Sequence, residues 1–213
     1  MKLYDFPLAA NAQRVRVFLV EKGLTLPMET VDVRSGAQFE EPFTSMNPFH
    51  CVPFLELDDG TVIAESISIC RYLEELNPEP SLFGADPAAR ARIDMWNRRV
   101  ELDGFLPGLH AVRNKVPMFA GRVVPGTRTD LPQRPELVQR GREMLEIFLG
   151  RLEPQLAAHD FIAGDEVSIA DITGWFLIRM AKGLEIDIDG AYPAIARWHA
   201  AFSARPSIRA LDG

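Results

Sequence analysis

The segments with the pattern of β-strands all lie in the first 64 residues of the chain. Short or alternating apolar runs predict strands at residues 2–6, 28–33, 53–57 and 61–64. Asp58-Asp59-Gly60 joins the last two as a hairpin, because Asp-Gly between apolar runs is a strong turn signal. Helices are predicted at residues 11–22 and 66–76. This order predicts a small α/β domain over residues 1–82.

Beyond residue 84 only helical patterns follow. Pro87 begins a helical stretch that runs to residue 115, with proline in its favoured first-turn position. A loop rich in proline, glycine and arginine occupies residues 116–134, and further helices are predicted at residues 135–159, 168–182 and 193–204. Ser168 to Asp171 has the form of a helix-capping signal. The second half is therefore predicted as an all-helical domain over residues 88–213.

Composition excludes several classes of protein. With 213 residues, of which 47% are hydrophobic, the chain can bury a full core without disulfides or metals. The net charge of −7 and the absence of a basic stripe argue against nucleic acid as a partner. No apolar run is long enough to span a membrane, and no signal-peptide pattern is seen, so the expected compartment is the cytoplasm. Cys51 and Cys70 match no metal or redox motif and are expected to be reduced.

Two dipeptides carry more information than any catalytic motif. The sequence has no serine-hydrolase elbow, zinc-protease motif, phosphate-binding loop or dinucleotide fingerprint, and its four histidines lack ligand spacing, so no metal is expected. Val52-Pro53 opens a predicted strand, and a cis bond there would leave the Val52 backbone free to pair with an extended ligand. Glu65-Ser66 opens a helix, whose N-terminus favours a carboxylate. Singly these are a loop proline and an N-cap serine, but together they predict a site for a peptide-like anion.

The stretches that contain these dipeptides resemble the glutathione transferase superfamily, nearest to its bacterial nu-type and theta-like members. They are residues 47–55, the turn 58–60 and residues 63–73, together with the segment 161–164 ahead of the capping signal 168–171. The resemblance covers nearly the whole length. It implies the glutathione transferase fold, which consists of an α/β thioredoxin-like N-terminal domain and an all-α C-terminal domain.

The resemblance also implies a role for each residue of the binding site. Val52 would pair its backbone with the cysteinyl part of glutathione, next to a cis Pro53. Glu65 and Ser66 would hold the γ-glutamyl end, and Gln38 would reach the glycyl carboxylate, although a surface glutamine is the simpler interpretation. The chain departs from the family pattern at His50-Cys51, where many relatives have Gly-Lys, so a lysine contact to that carboxylate is missing.

The residue that activates the thiol is the second departure. Relatives place a Tyr, Ser or Cys near the end of the first strand or the start of the first helix, where this chain has Ala9 and Ala10. Tyr4 lies too early and is expected to be a packing residue. Asn11 is the best-placed hydrogen-bonding side chain and resembles the asparagine of nu-type enzymes, with an ordinary N-cap as the alternative.

The resemblance implies a homodimeric glutathione transferase with a function in detoxification, in the cytoplasm that the lack of a signal peptide predicts. Glutathione would be the co-substrate, and a hydrophobic electrophile or a small disulfide would be attacked by its thiolate. A non-catalytic interaction module of the same fold is the main alternative, favoured by the missing hydroxyl or cysteine. A glutathione-dependent isomerase shares the same site and is not separable from a transferase by sequence.

Overall fold

The computed structural model describes residues 1–211, so the last two residues of the predicted helical domain, Asp212 and Gly213, lie outside the described residues. Contacts divide the chain into two compact units. The N-terminal unit contains residues 1–80, joined by residues 125–127 and by the described residues from 206 onward. The helical unit contains residues 81–124 and 128–205.

A four-stranded mixed sheet forms the centre of the N-terminal unit. Its strands, in the order β2-β1-β3-β4 across the sheet, are β1 (Lys2–Asp5), β2 (Met28–Thr30), β3 (Phe54–Glu56) and β4 (Val62–Ala64). β1 and β2 are parallel, whereas β3 is antiparallel to both β1 and β4. The predicted strand–helix–strand unit and hairpin are therefore confirmed, although each strand is shorter than its apolar run.

The helices of this unit pack on the sheet and on each other. They are α1 (Ala10–Glu21), the 3₁₀ turn Ala37–Phe39, α2 (Phe43–Met46), α3 (Ser66–Leu76) and α10 (Pro206–Arg209). Phe18 and Leu19 of α1 and Ile69 of α3 are fully or almost fully buried, as their helical spacing requires. Gly23 follows the end of α1 with a φ of 65°, the left-handed conformation that a C-terminal glycine supplies.

The helical unit is built around one buried helix. Its elements are α4 (Pro87–Arg99), the π-helical turn Val100–Phe105, α5 (Leu106–Lys115), the 3₁₀ turn Pro117–Phe119, α6 (Pro135–Ala158), α7 (Ile169–Gly183), α8 (Ile188–Ala191) and α9 (Pro193–Ser203). α7 is buried along most of its length, because α4, the π-helical turn, α5 and α9 pack against it. The long helix predicted from Pro87 to residue 115 is confirmed, but a π-helical turn interrupts it.

The capping signal at the start of α7 forms a complete capping box. The Ser168 side chain and the Asp171 carboxylate satisfy each other's backbone donors. Asp171 is fully buried and also accepts hydrogen bonds from the backbone N–H of Ile162 and the indole N–H of Trp198, at 2.9 and 3.0 Å. The sequence pattern thus identified the point at which three segments of the helical unit are tied together.

Candidate functional site

Three chain segments meet at one edge of the sheet. Tyr4 of β1 pairs with Phe54 of β3, and Phe54 pairs with Ala64 of β4. The carboxyl ends of β1 and β4 therefore lie beside the amino end of β3. At this edge β1 continues into α1, the Val52-Pro53 peptide precedes β3, and β4 continues into α3. The sheet register thus brings together the two dipeptides that the sequence singled out.

The loop before β3 presents an unpaired backbone. The Val52–Pro53 bond is cis. The buried Asn47 orders the loop, since its Nδ2 donates to the Cys51 carbonyl at 2.8 Å and its Oδ1 accepts from the Phe49 N–H at 3.1 Å. Among the described residues, neither the N–H nor the C=O of Val52 forms a hydrogen bond. A fixed donor and acceptor of this kind can add one residue of an extended peptide.

The start of α3 is strained and uncapped. Glu65 occupies the N-cap position with a φ of 72°, a left-handed conformation that costs a non-glycine residue about 1–3 kcal/mol. Its side chain is exposed and makes no hydrogen bond to the helix end. Ser66 is buried, and its hydroxyl has no partner within the described part of the chain. Free N–H groups, a serine hydroxyl and a carboxylate together fit a ligand end that carries both an amine and a carboxylate.

α1 also begins without a side-chain cap. Ala9 is the N-cap residue and Ala10 the first helical residue, so the alternative of Asn11 as an ordinary N-cap is wrong. Asn11 is the second residue of the helix and is half-buried. Its Oδ1 accepts a hydrogen bond from Nη1 of Arg14 at 3.2 Å. The amide Nδ2 has no partner in residues 1–211 and is the donor that Asn11 can offer to a ligand.

Gln38 is placed next to the loop before β3. It lies in the 3₁₀ turn, is 8% exposed, and its backbone carbonyl is 3.2 Å from Nδ1 of His50. Its side-chain Oε1 is buried and has no hydrogen-bond partner among the described residues. Because a buried polar atom without a partner is uncommon, this oxygen is a candidate contact for a ligand. The amide can offer Oε1 to a peptide N–H or, rotated, Nε2 to a carboxylate.

Tyr4 is confirmed as a packing residue. Its ring stacks on that of Phe54 with centroids 4.7 Å apart, and its hydroxyl donates to Oε2 of Glu56 at 2.9 Å. Burial is the main cause that raises the pKa of this hydroxyl. Cys70 is fully buried, and burial strongly raises the pKa of its thiol. Neither group is placed or poised to activate a thiol.

Sequence analysis missed two residues that shape this region. Arg14 contacts Asn11 directly, and the i, i+3 spacing of the two on a helix could have indicated it. Asn47 orders the loop before Val52, and no local signal distinguishes it from other loop asparagines. Within residues 1–211 no group of His, Cys, Asp and Glu side chains is arranged to hold a metal ion. No helix in the same range is long and apolar enough to cross a membrane.

Comparison with protein families gives two matches. Residues 10–76 match the model of the glutathione S-transferase N-terminal domain, and residues 113–206 match that of the C-terminal domain. Together these two ranges cover more than half of the chain and include Asn11, Val52 and Glu65.

Individual proteins are similar over almost the full length. Glutathione S-transferase 2 of Saccharomyces cerevisiae is 30% identical over 215 residues, covering 99% of this chain and 89% of the relative. Maleylacetoacetate isomerase of Rattus norvegicus is 30% identical over 204 residues, covering 95% and 87%. A glutathione S-transferase domain-containing protein of Marinobacter aquaeolei superimposes with a TM-score of 0.88 at 34% identity, covering 98% of this chain and all of the other. The two-unit fold, the edge of the sheet and these matches agree: the chain belongs to the glutathione S-transferase family.

Proposed function

We propose that the protein is a glutathione transferase that binds glutathione at the edge of the sheet and ionises its thiol there. The single observation that supports this most is the unpaired Val52 backbone beside a cis proline, placed by the β3–β4 register next to the uncapped start of α3. An extended tripeptide with an anionic amino-acid end matches both features.

Each part of glutathione has a partner in this proposal. The Val52 N–H and C=O pair with the backbone of the cysteinyl residue. Ser66 and the first N–H groups of α3 bind the γ-glutamyl carboxylate, while the Glu65 carboxylate binds its amino group. Gln38 contacts the glycyl end, where its buried amide meets either the peptide N–H or the terminal carboxylate.

In this proposal, Asn11 and the N-terminus of α1 lower the pKa of the glutathione thiol. A thiol with a pKa of about 8.5 is roughly 3% thiolate at neutral pH, and a fall of about two units makes it roughly 75% thiolate. This shift requires about 2.7 kcal/mol. A hydrogen bond to a charged group supplies about 1.5–3 kcal/mol, and the helix dipole adds about 0.3–1 kcal/mol. One amide donor and one uncapped helix are therefore sufficient without a hydroxyl side chain.

The thiolate then attacks the second substrate. With an alkyl or aryl electrophile, sulfur forms a bond to carbon and the leaving group takes the electron pair, while the thiol proton has gone to solvent. With a disulfide, the thiolate breaks the substrate S–S bond, forms a mixed disulfide with one sulfur and expels the other as a thiolate. A second glutathione thiolate then attacks the mixed disulfide, which releases the remaining substrate thiol and gives glutathione disulfide. The likeness to a maleylacetoacetate isomerase favours a second candidate, in which glutathione adds to a double bond, permits rotation and leaves unchanged.

We further propose a homodimer assembled through the helical unit. Leu102 and Leu106 in and after the π-helical turn are exposed, and so is Ile147 on α6. Asp103 and Arg151 lie 3.8 Å apart and place these apolar side chains on neighbouring helices. Exposed apolar side chains of this number on packed helices are typical of an interface. Sedimentation equilibrium tests this, and a monomer at micromolar concentration would contradict it.

The cytoplasm is the proposed compartment. Neither cysteine forms a disulfide within the described residues, as expected where glutathione keeps thiols reduced. The cytoplasmic glutathione that keeps thiols reduced is also the proposed co-substrate.

Calorimetric titration with glutathione, followed by turnover assays, tests the proposed function. Glutathione is expected to bind, and its thiolate absorbance is expected to appear at neutral pH on binding. The matched ligand γ-glutamyl-2-aminobutyryl-glycine, which lacks the thiol, is expected to bind without that absorbance. Assays with aryl halides, small disulfides and a cis-configured unsaturated diacid then separate transferase, reductase and isomerase. Binding with no reaction in any assay would support the interaction module, and no binding would overturn the proposal.

A further inference from the structure

Arg14 is buried at a position where an arginine is costly. The residue is 2% exposed and lies one turn along α1 from Asn11. Removing a guanidinium from water carries a desolvation penalty that interior partners must offset. The cost of burying Arg14 here must therefore be offset by the interactions that its guanidinium makes.

The contact between Arg14 and Asn11 determines which way the Asn11 amide faces. A guanidinium has only donors, so the Asn11 atom 3.2 Å from Nη1 of Arg14 is the acceptor Oδ1. The Nδ2 donors then point away from Arg14, and in residues 1–211 they have no partner. Without Arg14, the amide could rotate and offer its oxygen to the ligand. An oxygen would repel a thiolate, whereas an N–H stabilises it.

We propose that Arg14 is a positioning residue that holds Asn11 with its amide N–H groups towards the sulfur of bound glutathione. The proposal rests on the proposed function, since it presupposes a thiolate at the start of α1. Arg14 itself does not touch the sulfur. It acts through the orientation of Asn11 and through its positive charge, which in a buried environment favours a nearby anion. The thiol proton is released to solvent, and no group of the protein is covalently changed.

Other charges around α1 do not substitute for Arg14. Glu74 on α3 and Lys22 just beyond α1 form a buried ion pair with Oε2 and Nζ 2.8 Å apart, so these two charges largely balance. The Cys70 thiol lies in the fields of Arg14 and Glu74, and burial raises its pKa so that it stays protonated. The other charged groups on the elements around α1 are Lys2 and Asp5 of β1, which pair with Glu29 and Arg16, and the exposed Arg71 and Glu75 of α3 and Arg209 of α10.

The test is a double-mutant cycle on the pKa of enzyme-bound glutathione, read from thiolate absorbance against pH. Arg14→Met keeps the length and apolar stem of the side chain but removes the donors and the charge. We expect it to raise the thiol pKa by about one unit, which lowers the thiolate fraction at neutral pH from roughly 75% to roughly 25%, or about threefold. Turnover should fall by the same factor at neutral pH and recover at high pH, while the Kd of the thiol-free analogue stays within about twofold.

Asn11→Ala closes the cycle. If Arg14 acts through Asn11, Arg14→Met should shift the thiol pKa much less in the Asn11→Ala background than in the wild-type protein. Equal shifts in both backgrounds would overturn the positioning role. Arg71→Met, which removes an exposed arginine from α3, is the matched control and should leave the thiol pKa unchanged. A wild-type protein that binds no glutathione would instead refute the proposed function, and the two failures are thereby distinguishable.

A conservative variant keeps the proposal testable if Arg14→Met does not fold. Arg14→Lys retains the charge but replaces the planar fork by a single flexible ammonium group. We expect an intermediate pKa, because the charge remains while the orientation of Asn11 is loosened. A folded Arg14→Lys protein with the wild-type thiol pKa would overturn the claim that Arg14 orients the amide.

Discussion

Helices α4, α7 and α9 of the helical unit begin with a carboxylate cap that α1 and α3 of the N-terminal unit lack, although α6 also begins without a side-chain cap. The carboxylate of Asp86, just before α4, accepts from the Ala89 N–H at 2.9 Å, and α7 starts with the capping box. α9 is capped from outside, because Glu153 of α6 accepts from the N–H groups of Ala194 and Ile195 at 2.8 and 3.0 Å. In the N-terminal unit, α1 and α3 both begin without a side-chain cap and with no acidic residue in the first turn.

The capped helix starts stabilise the fold, whereas the uncapped starts of α1 and α3 lower stability and are the ones assigned to the proposed binding site. A missing N-cap costs about 1 kcal/mol, so the N-terminal unit gives up stability at two helix ends. Both of these ends lie at the edge of the sheet where Val52 has an unpaired backbone. The N–H groups that α4, α7 and α9 satisfy within the helical unit have no side-chain acceptor at α1 and α3, which fits the proposed binding of an anion there. Because the net charge of −7 opposes an anionic tripeptide at long range, the proposed binding requires local positive ends of this kind.

The largest expected effect comes from breaking the strongest cap. Asp171→Ala leaves several buried donors without an acceptor, and we expect it to lower the free energy of unfolding by roughly 3–5 kcal/mol. Burial raises the pKa of Asp171 to about 6, so the measurement belongs at about pH 8, where the carboxylate is ionised. Urea denaturation followed by circular dichroism measures the loss.

Asp86→Ala is the matched comparison for that loss. It removes an exposed cap with one hydrogen bond and should cost only about 1 kcal/mol. Equal losses for the two variants would show that burial of the capping carboxylate does not matter. The glutathione affinity of both folded variants should remain that of the wild-type protein.

Features that depend on neighbouring residues in the sequence could be predicted. The Asp58-Asp59-Gly60 hairpin, the Ser168–Asp171 cap and the helix that ends before Pro78 all follow from local chemistry, and the structure confirms each one. The placement of Val52 beside Glu65 also follows, because the hairpin register determines it.

Features that depend on distant contacts could not be predicted. Glu153 caps α9 from 41 residues away, and nothing in its local sequence marks it as a cap. Gly126 is a second example, since a Cβ there would lie 2.0 Å from the Phe49 carbonyl oxygen. Its segment therefore packs against the loop before β3, whereas the sequence predicted only a loop at residues 116–134 and no contact for it. The orphaned Oε1 of Gln38 likewise becomes visible only when burial and partners are known.

The helical unit also contains a buried polar atom that is not satisfied internally. The Nε2 of His199 is buried and lacks a hydrogen-bond partner among the described residues. Burial, assisted by Lys182, lowers the pKa of this imidazole from 6.5 to about 4. The unfolded chain thus binds a proton near pH 6.5 while the native state does not. The stabilising contribution is complete above this pH and is lost as the pH falls towards 4, by at most about 3 kcal/mol.

A phenylalanine variant tests this pH dependence. His199→Phe keeps the stacking on Trp175, whose ring centroid is 6.0 Å away, and should flatten the fall in unfolding free energy between pH 6.5 and 4. His159→Gln, which changes a histidine paired with Asp165, serves as the control and should retain the slope. An unchanged slope in His199→Phe would assign the acid sensitivity to other groups.

At the uncapped start of α3, the expected effect is on binding rather than on folding. Glu65→Gln keeps the shape of the side chain and removes its charge. We expect the Kd for glutathione to rise about tenfold, or roughly 1–2 kcal/mol, with little change in unfolding free energy, since the side chain does not cap the helix. Glu75→Gln, on an exposed position of the same helix, should change neither quantity. A Glu65→Gln variant that loses only turnover would contradict a role in ground-state binding.

The smallest effect should come from giving α1 the cap that it lacks. Ala9 already has the extended backbone of an N-cap residue, with φ −82° and ψ 124°, so serine fits without rearrangement. We expect Ala9→Ser to raise the free energy of unfolding by about 0.5–1 kcal/mol, measured by urea denaturation. As a cap, the hydroxyl would accept from an N–H group of the first turn and withdraw that donor from the sulfur, so the thiol pKa of bound glutathione should rise by a few tenths. A fall in this pKa would instead show that the new hydroxyl activates the thiol, as the serine of relatives does. A more stable protein with an unchanged thiol pKa would show that Asn11 and Arg14 ionise the sulfur without help from the helix end.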